Sequence, residues 1–451
     1  MPAPEEPMPH FYPRDFATFI HDHLEGRPIC PDWQERYADT RPESIPGLTQ
    51  LEHLISTCYQ ASLMREEERP VRFRLILRDP ASFPPDQGPP DGFHRIVFAS
   101  PRPFDENELR RLSPTVDFYR SLIGVAPDPD GTLRIWGLVQ SGPRWVQTVH
   151  GGGKSFNPLP SVPVLYVTGP GRISACIGLT IIATLKGGEI ACPSLDVFDS
   201  PWLPESFNNE RAELLALHEA ARRREGNEWA PLDPHFVRTI GQHVVRRIVG
   251  IIRNSHHGGT ILFVPPERVA DFMADNRYVN FSYTFVEEEP RQRFRTILVD
   301  IMNALCTVFG RAGVRDREVG WNDYVASDDP RLSLLDEKLF ELAHLVASLT
   351  AVDGAVVMTR RFEILGFGAE ISGKLEKVRC VRRALDLEGT RTEPEHTEGV
   401  GTRHRSAYRL CNELRDAIAI VVSQDGRVRF VKWREGYVTY WDQVATSILD
   451  F

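Results

Sequence analysis

The chain has no cysteine framework. Its seven cysteines, Cys30, Cys58, Cys176, Cys192, Cys306, Cys380 and Cys411, are odd in number and scattered, with no Cys-x-x-Cys pair. That spacing argues against a disulfide scaffold or a structural zinc site and fits a reducing compartment. A long apolar run is missing too. The most apolar stretch, "ISACIGLTIIATL" from Ile173, carries Ser174, Thr180 and Thr184 and falls short of the roughly 20 residues needed to span a bilayer. The opening "MPAPEEPMPH" is acidic and proline-rich, without the basic and apolar regions of a secretory leader. Nor is there an excess of positive charge. The formal net charge is −9, which disfavours a protein built to hold long nucleic acid and offers no dedicated nucleic-acid-binding domain. The expectation is a soluble, cytoplasmic protein that is not held in a membrane.

What is present is ordinary globular material: 451 residues, 41% hydrophobic and 25% charged, enough for two or three domains. The first part, residues 1–207, reads as proline-rich α/β, with "LRIWGLVQS" and the run from Val162 to Ala191 as strands broken by glycine turns. Residues 208–231 are helix-forming and highly charged, which predicts a solvated connector. From 232 to 451 helices and strands alternate. Val237, Ile240, Val244, Ile248 and Ile251 mark one helix, Ile297, Ile301, Leu305 and Val308 a second, and Leu335, Leu339, Leu342, Val346 and Leu349 a third. Between them "GGTILFVPPE", "DGAVVMTRRFEILGFGAEI" and "AIAIVVSQDGRVRFVKW" read as strands with turns, and Asp386–Val400 as an acidic loop. A helix is expected from about Ser406 to Arg415. The fold class is α/β (α+β), with polar motifs at strand ends, where ligands of such domains bind.

Five stretches invite a chemical reading. "HGGGKS", His150–Ser155, resembles a phosphate loop, but the glycine required five positions before Gly153 is Thr148, so a glycine-rich loop is the better reading. His256-His257 are neighbours without a nearby acid, a poor metal pair; Gly258-Gly259 reads as a turn passing closely beneath something. Asp353-Gly354-Ala355 leaves a carboxylate over bare backbone at a helix-to-strand junction, a place for a divalent cation bridging phosphates. "GTRHRSA" offers the Thr402 hydroxyl, the forked donors of Arg403 and Arg405, and His404. Ser423 and Asp425, in a turn after an apolar strand, add a hydroxyl and a second acid. Each piece alone is common; together they form a set suited to a nucleoside triphosphate.

In these motifs the region from about Leu232 to Trp433 resembles the diadenylate cyclase domain, whose members join two ATP molecules into cyclic di-AMP with release of two pyrophosphates. The resemblance implies a mixed central sheet flanked by helices. It implies Asp353, Arg403, His404 and Arg405 as catalytic, and Gly354, Ala355, Thr402, Arg403, His404, Arg405 and Ser423 as the ATP site. Asp353 and Asp425 would hold Mg2+ or Mn2+, and two copies of the domain would face each other in a homodimer or higher oligomer. Residues 1–207 would be a sensor-like domain. The family's usual Leu-His before Asp-Gly-Ala is Ala351-Val352 here, and its Ser-Glu-Glu is Ser423-Gln424-Asp425. The segment before Asp353 is longer than in compact members. Neither the membrane helices of anchored cyclases nor the DNA-binding domain of DNA-scanning ones is expected. Two other readings stand beside this one: a nucleotide-binding sensor that makes no product, and an interaction scaffold whose Arg-His-Arg stretch is a basic patch.

Overall fold

The computed structural model describes residues 10–26, 43–89, 92–118, 120–142, 159–178, 180–191, 196–225, 229–273 and 276–443. The described residues up to Ala191 form one compact unit, and those from Asp196 to Gln443 a second. The glycine-rich His150–Ser155 stretch lies outside the described residues.

In the first unit, helices α1 (Pro13–Leu24) and α2 (Leu48–Ser62) precede a short hairpin of β1 (Arg65–Glu66) and β2 (Arg69–Pro70). Then follow β3 (Phe73–Leu77), β4 (His94–Pro103), α3 (Glu106–Leu112), β5 (Ser121–Pro127) and β6 (Leu133–Gln140). The run from Pro163 gives β7 (Pro163–Gly169), β8 (Arg172–Ile177), β9 (Thr180–Lys186) and β10 (Glu189–Ala191). Eight strands make one sheet in the order β10-β9-β8-β7-β3-β5-β6-β4, in which only β3 and β5 are parallel. Central β3 and β7 are almost wholly buried, which is why they read as continuous apolar runs. Phe16, Leu54 and Leu109 from the helices close over Phe73, Ile135 and Val167 of the sheet.

The second unit begins with α4 (Trp202–Glu205), α5 (Asn208–Glu225), α6 (Phe236–Asn254) and β11 (Gly259–Val264). Next come α7 (Val269–Met273), β12 (Val279–Thr284), α8 (Glu289–Arg311), α9 (Trp321–Ala326), α10 (Pro330–Leu349), β13 (Ala355–Thr359) and β14 (Ile364–Ile371). The chain continues through β15 (Cys380–Ala384), β16 (Thr392–His396), α11 (Thr402–Glu413), β17 (Ile418–Val422), β18 (Val428–Arg434) and β19 (Tyr437–Asp442). The nine-stranded sheet is mixed, in the order β12-β14-β13-β11-β17-β18-β19-β15-β16. Alternate residues of its central strands face two cores. Ile261, Phe263, Val356, Met358 and Ile420 meet the layer of α5, α6, α8 and α10, while Leu262, Val357, Ala419, Val421 and Val431 meet α11. The extra length before Asp353 is thus the α8–α10 layer. Its last helix starts where the Asp329 carboxylate accepts from the Arg331 and Leu332 amides at 2.9 and 3.3 Å, with Pro330 in the first turn.

Three expectations need correction. The helix at 208–225 is not a solvated connector: it lies within the second unit, with Glu210, Leu214 and His218 buried. Those residues recur every four positions, a stripe narrow enough to vanish among charges. The helix expected from about Ser406 starts at Thr402. Gly401 is its extended N-terminal cap and its carbonyl accepts from the Arg405 amide at 3.2 Å, so the Arg-His-Arg stretch is the first helical turn. The acidic loop at 386–400 contains edge strand β16, a charged, Pro394-bearing edge of the kind that resists further pairing.

Candidate active site

Strand register gathers the motifs at one end of the sheet. Gly259 pairs with Val422 across β11 and β17, and Ile261 pairs with Val356 across the parallel β11 and β13. Two residues back along that parallel pairing, Gly354 falls beside Gly259. Asp353, Gly258 and Ser423 therefore leave three adjacent strands at the same end, so Asp353 and Ser423 stand about 10 Å apart at the usual strand spacing.

The glycines of these motifs have steric reasons. Gly258 has φ +65°, and a Cβ there would lie 2.8 Å from both Arg403 Nη1 and the Val422 carbonyl oxygen. A Cβ on Gly259 would stand 2.6 Å from Thr350 Oγ1. The Gly-Gly turn thus passes beneath Arg403 on one side and beneath the residues leading to Asp353 on the other, and the His257 carbonyl accepts from Arg403 Nη1 at 3.1 Å. Gly354, at φ +116°, leaves room for the β14 backbone, which a Cβ would meet at 2.6 Å from the Gly368 carbonyl carbon.

The first turn of α11 faces the β17–β18 turn across a cleft of about 590 Å³, within the range of small-molecule sites. Thr402, Arg403, His404, Ser423 and Asp425 all line it. The open first turn of a twelve-residue helix directs backbone N–H groups there beside Arg403, an arrangement that favours an anion. Burial, and then the neighbouring Arg429, lower the His404 pKa to about 4, so at neutral pH the ring is an uncharged hydrogen-bonding group.

Not every expected residue reaches the cleft. Arg405 is exposed on α11 and absent from the lining, as are Gly354 and the buried Ala355. Asp353 is exposed and outside the lining, and its carboxylate has no hydrogen bond or ion pair among the described residues. Asp425 is engaged: Ser423 Oγ donates to it and Arg427 Nε reaches its Oδ2 at 2.8 Å. Burial alone would raise its pKa, but the Ser423 and Arg427 hydrogen bonds outweigh that and hold it below the usual carboxylate range. Among the described residues no group of three or more His, Cys, Asp or Glu side chains could enclose a metal.

Sequence reading missed Glu395, Gln424, Arg427 and Arg429, which complete the wall. Arg429 is held by Tyr408 Oη and Asp442 Oδ1, both at 3.0 Å, with its guanidinium 4.1 Å from the Tyr440 ring centroid. Alternation along β18 was the available signal, since Arg427 and Arg429 share a face with Val431 and α11 packs on that face.

Residues 40–140 match the family model described as probable sensor domain DACNV, less than a quarter of the 451-residue chain and inside the segment expected to sense. No curated protein and no solved structure matches the chain significantly. Among the described residues no helix is long and apolar enough to cross a membrane.

Proposed function

We propose that the second unit is a diadenylate cyclase governed by the amino-terminal sensor domain. One observation carries the reading: four motifs spread from Gly258 to Asp425 meet at one end of the sheet, and two of them line a single cleft. In this reading Arg403, Thr402 and the first-turn amides of α11 bind the triphosphate, His404 donates or accepts a hydrogen bond without adding charge, and Ser423 contacts a phosphate oxygen. The 3′-hydroxyl of one ATP attacks the α-phosphorus of the other, forming an O–P bond as the bond to pyrophosphate breaks. The reciprocal attack closes the ring and releases the second pyrophosphate. Such a displacement needs in-line positioning and charge neutralisation more than a covalent nucleophile.

Mg2+ or Mn2+ fits Asp353 by donor chemistry, since an exposed, unengaged carboxylate plus phosphate oxygens and water is how Mg2+ is commonly held. The cation would supply charge neutralisation at the phosphates. Asp425 fits less well, because Arg427 and Ser423 already occupy it. That engagement favours the second reading, a nucleotide-binding sensor without turnover. Incubating the chain with ATP and Mg2+ or Mn2+ separates the two: cyclic di-AMP with two pyrophosphates per product supports the cyclase. Saturable ATP binding without product supports the sensor, and absence of ATP binding defeats both.

A further inference from the structure

The second unit has another cavity, on the opposite face of its sheet from the α11 cleft and unused by the proposed chemistry. Its floor is apolar: Phe263, Ile418, Ile420 and Phe430 rise from β11, β17 and β18, and Phe207 and Leu214 close it from the α4–α5 side. Its volume is about 70 Å³, room for about five to seven waters at 10–15 Å³ each. It is therefore a slot rather than a chamber.

Its polar lining is lopsided. Five arginines, Arg211, Arg238, Arg295, Arg360 and Arg361, face only Glu210 and Glu213, an excess of three positive charges in a chain whose net charge is −9. Glu213 is already taken by Arg361, at 2.7 Å to Nε and 2.6 Å to Nη2, with Arg295 at 3.9 Å. Arg238 has no side-chain hydrogen bond or ion pair among the described residues. Arg360 Nε is buried without a partner. Burial, and then the like charge of Arg238, push the Arg211 pKa down, and the neighbouring Glu210 offsets them only in part.

Gly241 adds a second sign. It sits inside the 19-residue α6, where glycine is less favourable than alanine. A Cβ there would meet nothing within 4 Å, and the residue lines this slot. The helix thus leaves the space open where a side chain would have filled it. Phe362, at φ +61°, is a second departure from easy backbone; its ring stacks on Phe294 with centroids 4.3 Å apart and forms part of the same wall.

We propose that this slot binds a slender amphiphile, an apolar chain ending in one anionic group, with the chain against Phe263 and Phe430 and the anion at Arg211, Arg238 and Arg360. The shared chemistry is chain plus anion; a carboxylate and a phosphate monoester are its two sources.

Sodium octanoate and octyl phosphate, with octylammonium and 1-octanol as controls, test this on the full chain by calorimetry and thermal melting. Saturable binding of at least one anionic probe, with a raised melting midpoint, is expected, and the tighter of the two identifies the head group. Arg238→Ala should weaken that binding about tenfold or more, the loss expected for one charge-assisted hydrogen bond. Gly241→Leu should block the slot while the far-ultraviolet spectrum stays unchanged. If Gly241→Leu does not fold, Arg238→Glu takes its place and should abolish binding. The proposal is overturned if neither anionic probe binds wild type, if octylammonium or 1-octanol binds equally well, or if binding survives the blocking variant. None of these outcomes depends on ATP turnover.

Discussion

Arg403 and Arg405 are two positions apart in sequence, yet the helix separates their surroundings. Arg403 leans over Gly258 and lines the cleft; Arg405 is exposed on α11 outside it. Removing a charge-assisted hydrogen bond costs about 1.5–3 kcal/mol. Arg403→Ala should therefore weaken ATP binding tenfold or more, with lysine a partial rescue because it lacks the planar fork. Arg405→Ala should change ATP affinity by less than about twofold, as surface substitutions away from a site usually do. Isothermal titration of both variants checks this, and equal losses would put Arg405 at the nucleotide. His404 makes a separate prediction. Its folded pKa, about 4, lies below the ordinary 6.5, so between those values the unfolded chain binds more protons. Its contribution is flat above pH 6.5 and erodes as pH falls toward 4. His404→Gln should lose less stability than wild type between pH 7 and pH 5 in urea titrations. His243, also lowered to about 4 by burial and then by Arg246 and Arg247, keeps part of the slope in both proteins.

Among the elements, the turn before β11 is where backbone conformation and site depend on each other. Gly258→Ala would place a methyl 2.8 Å from Arg403 Nη1 and the Val422 carbonyl oxygen, at φ +65°. A non-glycine residue in that region costs about 1–2 kcal/mol. The variant should lose at least that much unfolding free energy in urea titrations and bind ATP more weakly, because the Arg403 guanidinium must move; unchanged affinity would detach the turn from the site. The same element explains what sequence could reveal. Gly258-Gly259 read as backbone passing beneath something, and Arg403 and Thr350 are the something, but no residue pattern named them because they come from distant helices. The 3.6-residue periods of α6, α8 and α10 were legible because each buries a broad stripe. The start of α11 was not, since Gly399 and Gly401 before the five polar residues Thr402–Ser406 look the same in a loop as at an N-terminal cap. The engagement of Asp425 by Arg427 was also hidden, as spacing shows that two charges are near but not that they pair.

For the whole molecule, symmetry makes the strongest demand. Cyclic di-AMP has a two-fold axis and its synthesis needs two reciprocal attacks, while the chain carries one Asp-Gly-Ala and one Arg-His-Arg set. One cleft of about 590 Å³ suits one nucleotide, so in the cyclase reading two copies must face each other, each 3′-hydroxyl aimed at the other's α-phosphate. Pairing of identical chains about a two-fold axis is the commonest oligomeric solution, and a transient encounter of loaded domains would suffice. Asp353 is exposed and unengaged at the sheet end, outside the cleft lining, and in the cyclase reading it would act on such a shared pair of nucleotides. Specific activity should then rise with protein concentration through the range where the pair forms. Asp353→Asn should abolish turnover with little change in melting, since it alters one exposed side chain. Mixed with wild type at equal amounts, it should reduce activity by more than dilution, because a mixed pair keeps one competent acid where two are required. Activity strictly proportional to concentration in a preparation shown to stay monomeric during turnover would remove the paired mechanism, and so would a mixture that loses only half its rate.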